Sequence, residues 1–273
     1  MRERRLPWFP QALDARESAV CWRNGGWCIA SISILLVAFT NMDRDKRLYF
    51  VLTAVIRLSL IVAVAGAVWE RAWITLFVSA LSLALTFMPL IIQRTYEISL
   101  PGEIQIMIVL FVYAALFLGM AREWYYRFWW WDSLMHGSAG VALGFAGFLI
   151  LYVLHRSGKL QASPLLIVLF SFCFAVALGA LWEIIEFAVD SFTGADMQRT
   201  PTLPQVIEHG SARLAIYDTM RDLILDSLGA LIASACGYIY LKRGEIFLFD
   251  RLIKNFEDIN PELFEEKDRQ KPR

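Results

Sequence analysis

Cysteine is scarce in this chain, with four in 273 residues, and none of Cys21, Cys28, Cys173 and Cys236 forms a CxxC pair or another zinc spacing. That excludes a disulfide framework and a thiol catalyst; the two cysteines that lie in apolar runs read as small hydrophobes. Net charge is missing as well: 26 basic residues balance 26 acidic ones, which leaves no field for capturing nucleic acid. Charged residues are few, 19% against 58% hydrophobic, and mean hydropathy is +0.50. A chain this apolar is not an ordinary soluble domain, and an all-α, polytopic transmembrane helical bundle is predicted. No internal repeat or low-complexity tract divides it.

What is present begins with a basic arm, residues 1–47, carrying Arg2, Arg4, Arg5, Arg16 and Arg23 together with Pro7 and Pro10. Within it Trp27–Thr40 is apolar but only about 14 residues, short of the ~20 that cross hydrocarbon. It reads as a short span, an interfacial segment or a signal-like stretch with no cleavage site after it. Residues 48–241 form the bundle, with spans expected at Leu48–Trp69, Trp73–Ile92, Ile104–Ala121, Ser133–Leu154, Pro164–Val189 and Asp222–Leu241, about six in all. Arg57 lies inside the first and either pairs within the bundle or snorkels. Residues 242–273 are a charged tail whose apolar positions predict an amphipathic helix lying on cytoplasmic headgroups and stopped by Pro261. Basic residues share one face under this count, so both termini are expected in the cytoplasm, with the chain multi-pass in the plasma membrane.

Asp132 and His136 open the fourth span four residues apart, hence on one helical face. Neither belongs in hydrocarbon, so the pair marks a partner, a cation or a water-filled cavity. Parity of the spans brings Asp132, Asp190 and Asp218 out on the same side. With those three as a rim, His136, Glu186 and Asp222 lie roughly 6 Å deeper, and Glu183 and Asp226 roughly 10–12 Å. The rim aspartates read equally well as helix caps, an explanation that fails for the deeper groups. So many carboxylates facing one cavity cannot all stay ionised without compensation, and His136 and Arg221 offset only part of the charge.

The rest is met by protons, by water or by a bound divalent cation of unspecified identity; for a cation, Asp132, His136, Glu183, Glu186, Asp218, Asp222 and Asp226 are candidate ligands, and His136, Glu183, Glu186 and Asp222 are candidate acid–base groups. Arg221 is a local ion-pair partner or an anion clamp for substrate. Trp131 closes the aromatic stretch Arg122–Trp131, which suits a headgroup boundary and, more sharply, a stacking platform. Asp196 can close over the site, whereas Glu208 and His209 read as solvated loop residues. Gly140 and Gly144, and Gly229, Ala233 and Gly237, sit at steps that let helix backbones approach closely.

Several ordered motifs within residues 48–241 carry a resemblance: Phe-Leu-Gly at 117–119, Tyr126 to His136, Leu181-Trp-Glu-Ile-Ile-Glu-Phe187, Asp196-Met-Gln and Asp218 to Ala230. Together they resemble the YjdF-like family of bacterial integral membrane proteins, which implies a fold but no established activity. A fainter similarity is to VanZ-like membrane proteins, from which Glu186 and Asp226 depart, since Gln and Asn tend to stand near those places. The reading that follows is a site opening outward that binds a cation and acts on or recognises an anionic lipid or envelope precursor. Its competitors are a cation- or proton-coupled transporter and a structural or assembly protein whose acidic network only fixes helix packing.

Overall fold

A computed structural model of the chain describes residues 44–194, 196–198, 211–244 and 247–264. The basic arm before Arg44, the Trp27–Thr40 segment, Glu208 and His209 lie outside these residues. The chain divides into two units, Met1–Ala54 and Val55–Arg273. All packing described below lies within the second.

Every regular element among the described residues is helical. In chain order they are α1 (Arg44–Glu70), α2 (Trp73–Leu85), α3 (Met88–Tyr96), α4 (Gly102–Val112) with a π-helical continuation (Tyr113–Ala121), α5 (Trp124–Arg127), α6 (Trp131–Arg156), α7 (Pro164–Thr193), α8 (Ser211–Arg243) and α9 (Phe247–Ile259). Five stretches are long and apolar enough to cross a membrane: Arg47–Glu70, Gly102–Ala121, Trp131–Arg156, Pro164–Thr193 and Ala215–Arg243. The α2–α3 pair makes a sixth if its two arms are one span.

That pair corrects the sequence reading, which ran one uninterrupted span from Trp73 to Ile92. The helix breaks after Leu85 and bends by 42°. Pro89 is the cause, because its nitrogen has no hydrogen to give to the carbonyl four residues back and its ring crowds that turn. Arg57 occupies the break: its Nη2 donates to the Thr86 carbonyl at 2.9 Å, its Nε to Thr86 Oγ1 at 3.1 Å, and its guanidinium lies 3.9 Å over the Phe87 ring. A cation deep in an apolar segment thus satisfies a carbonyl that the broken helix leaves over.

The core is built from α6, α7 and α8, which pack most extensively on one another. Ser163 caps α7, accepting from the Leu166 N–H at 3.3 Å, and Pro164 follows at the first turn, where its missing donor costs nothing. The buried positions of α7, Ile167, Val168, Ser171, Ala175, Gly179, Glu183 and Glu186, form one stripe. Gly140 on α6 lies against the backbone carbonyl of Asp226, and Gly229 on α8 against the carbonyl of Gly137, so the two helices touch backbone to backbone. Ser171 Oγ donates to the Gly144 carbonyl at 2.6 Å and Ser234 Oγ to Ser171 Oγ at 3.2 Å, tying all three helices together at mid-depth. Outward faces stay apolar, as with Ile184 and Phe187 on α7 and Leu228 and Ile232 on α8, which suits contact with lipid.

The tail is a second correction. An amphipathic helix is present, but its apolar face lies on protein rather than on headgroups. Phe249 and Ile253 join Phe148, Leu151, Tyr152, Ala162, Ile167 and Val168 in one buried cluster. Phe249 meets the ring of Phe148 at 5.0 Å and that of Phe145 at 5.1 Å, both edge to face. Tyr152 donates to Glu257 Oε1 at 2.7 Å, and fully buried Asn260 accepts from the Ser99 N–H at 2.7 Å while donating to the Ser99 carbonyl at 2.8 Å. Apolar spacing in a sequence cannot say whether lipid or protein covers the face; here protein does.

Candidate functional site

At the opposite end of the three-helix core, polar groups converge. Asp132, His136, Glu183, Glu186, Asp222 and Asp226 are all buried, with Asp222 at 1% and Asp226 at 2% exposure. Asp132 and His136 come from the first turns of α6, Asp222 and Asp226 from successive turns of α8, and Glu183 and Glu186 from the end of α7. His136 stands between them. Its Nε2 is 3.7 Å from Asp132 Oδ1, while its Nδ1 is 3.3 Å from Asp226 Oδ2 and 3.9 Å from Glu183 Oε1.

One ligand atom each from Asp132, His136 and Asp222 falls within 4.8 Å of the others. Metal–ligand bonds of about 2.0–2.4 Å place ligand atoms roughly 3–4 Å apart, so an ion would draw this group in by about 1 Å. Both oxygens of Glu183 are buried without a well-formed hydrogen bond, faced by the Thr219 side chain and by His136 Nδ1 at 3.9 Å. A buried carboxylate in that state is costly unless a cation or proton meets it. Five buried carboxylates around one imidazole make the whole end electron-rich.

The remaining sequence-predicted residues take more ordinary positions. Glu186 accepts from Trp182 Nε1 on its own helix at 2.9 Å. Asp218 is half-buried one turn above Asp222 and outside the three-residue group. Asp190 accepts from the N–H groups of Met197 and Gln198 at 2.7 and 2.9 Å, so its carboxylate shapes the turn after α7. That turn reverses at Gly194, whose φ of +69° a side chain would strain. Tyr126 donates to the Asp196 carbonyl at 2.9 Å, and Gln198 Nε2 donates to Thr219 Oγ1 at 3.0 Å. The short segment is thereby strapped to α5 and α8. Arg221 donates to Ser133 Oγ, next to Asp132. Trp131 is buried, edge-on to Trp124 at 4.6 Å.

Sequence reasoning missed Gly179. A Cβ there would stand 2.5 Å from Asp226 Oδ2, so the glycine makes the space that the carboxylate occupies. The signal was available, since Gly179 lies one turn before Glu183 on the same buried stripe.

Residues 26–243 match the family described as predicted membrane protein (DUF2238), and the chain belongs to it. The match takes in the Trp27–Thr40 segment and ends at the last residue of α8. An uncharacterized protein of Thermotoga maritima is 24% identical over 147 residues, which are 52% of this chain and 66% of that relative, just under two thirds of its length. No solved structure matches the chain.

Proposed function

Proceeding from membership of that membrane family, we propose that this is a multi-pass bacterial inner-membrane protein whose acidic end binds one divalent cation. Through the cation it recognises or acts on the anionic headgroup of a lipid or an envelope precursor. The observation that carries the reading is the convergence of Asp132, His136 and Asp222 within 4.8 Å beside a buried Glu183 that has no well-formed hydrogen bond. A cation there would polarise a phosphoryl or carbonyl oxygen and acidify its own water, and Glu183 is the base placed to take that proton. Arg221 and Trp131 are the groups for the anion and its neighbouring surface. Taking the family and the YjdF-like resemblance as one, and setting both termini in the cytoplasm under the positive-inside rule, are parts of the same proposal.

The test is elemental analysis of detergent-purified protein beside a Glu183→Ala/Asp222→Ala double variant. About one ion per chain, lost in a folded variant, is expected. Equal metal content in both proteins, or none in the wild type, overturns the reading. The second reading, a cation- or proton-coupled transporter, draws support from the broken α2–α3 pair with Arg57 at its break, because interrupted helices mark transport sites. Against it, the far end of the α6–α8 core is filled by Phe148, Tyr152, Phe249 and Ile253. Ion-driven flux in reconstituted vesicles would favour the transporter.

A further inference from the structure

The two ring nitrogens of His136 face different partners. Nε2 lies 3.7 Å from Asp132 Oδ1, one of the two carboxylates that group with His136, whereas Nδ1 is within hydrogen-bond reach of Asp226 Oδ2 at 3.3 Å. A neutral imidazole offers one lone pair, and the nitrogen that does not bind a cation carries the proton. We infer that His136 meets the cation through Nε2 while Asp226 accepts the Nδ1 hydrogen and fixes the ring, so that Asp226 is a positioning residue rather than a fourth ligand. The inference rests on the cation reading above and deepens it.

The surroundings of Asp226 fit that role. It is 98% buried between helices, with Gly140 against its backbone carbonyl and Gly179 against its carboxylate. A Cβ at Gly179 would stand 2.5 Å from Oδ2 and 3.0 Å from Cγ. Neither glycine needs a left-handed backbone, so space is the reason for both. Gly140 thus lets the two backbones close, Gly179 leaves room for the carboxylate, and the carboxylate lies beside Nδ1. Glu183 Oε1, at 3.9 Å from the same nitrogen, is too far to accept the hydrogen. A carboxylate behind a ligating histidine fixes its tautomer and strengthens it as a donor. Three protein ligands then remain, Asp132, His136 and Asp222, which leaves a coordination position for a substrate oxygen.

The experiment titrates the full-length purified protein with Co²⁺ alone, in wild type and in Asp226→Asn, Asp226→Ala, Gly179→Ala and Asp222→Asn variants. Asp226→Ala and Gly179→Ala are expected to weaken binding by about 10–100-fold without loss of stoichiometry. Asp226→Asn, whose amide oxygen still accepts from Nδ1, should recover most of the affinity and keep the visible spectrum of the bound ion. Asp222→Asn should lose the ion. If Asp226→Asn loses it as completely as Asp222→Asn, or shifts the spectrum, Asp226 is a ligand and the inference fails. Wild-type affinity in Asp226→Ala overturns it too. The Asp226→Asn and Asp226→Ala pair decides the matter even where Gly179→Ala does not fold. A wild-type protein that takes up no Co²⁺ refutes the cation reading itself, a separate result.

Discussion

The same three helices, α6, α7 and α8, finish in opposite chemistries. At one end Phe148, Tyr152, Phe249 and Ile253 interlock, and Asn260 spends both its amide oxygen and its amide nitrogen on hydrogen bonds. At the other end Asp132, His136, Asp222 and Asp226 are as deeply buried, yet Glu183, faced by Thr219 and by His136 Nδ1 at 3.9 Å, has no well-formed hydrogen bond. Burial alone therefore does not separate scaffold from site. Compensation does more: Asn260 is fully paired within the fold, whereas the acidic end gathers more buried carboxylate than the one imidazole of His136 can match.

That contrast breaks most completely at the junction both ends share. Gly140→Val would drive a branched side chain into the Asp226 backbone, so loss of monodisperse folded protein is expected on size exclusion, whereas Gly66→Val, with open space around it, should elute as wild type. Phe148→Ala should cost about 3–5 kcal/mol of stability through the cavity it opens, read by thermal melting in detergent, and leave metal uptake unchanged. Asn260→Ala should cost about 1–3 kcal/mol by stranding the Ser99 backbone groups, again with no effect on metal. The smallest change is the most informative. Glu183→Gln should weaken but not abolish the stabilisation that added cation gives the wild type, since Asp132, His136 and Asp222 still hold the ion, yet raise the metal-free protein's stability by about 1 kcal/mol, because a buried, poorly compensated charge is removed. A Glu183→Gln protein that melts earlier without metal would make the acidic end scaffold as well.

Much of this arrangement was legible in the sequence. Asp132 and His136 at four residues, and Asp222 and Asp226 likewise, need only helical geometry to share a face, and span parity brings their helix ends together. The close approach at Gly140 and Gly229 follows from small residues at helical steps. Asp190 was ambiguous because a carboxylate at a helix end serves a site or a turn equally well, and only the positions of Met197 and Gln198 decide for the turn. The α2–α3 break was hidden inside an unbroken apolar run, where Pro89 was the sole warning and Arg57 the unseen partner. The seat of α9 was beyond reach for a different reason: its hydrophobic pattern specifies a face but not the surface that meets it.

The α9 seat also makes one end of the core a joint product of distant stretches of chain. The aromatic cluster draws Phe249 and Ile253 from a helix that follows the family-matched residues, and Asn260 bonds to a residue 161 positions earlier in the chain. A chain that stopped before Phe249 would lack the side chains that cover Phe148, Ile167 and Val168, and would leave an apolar socket at that end of the core.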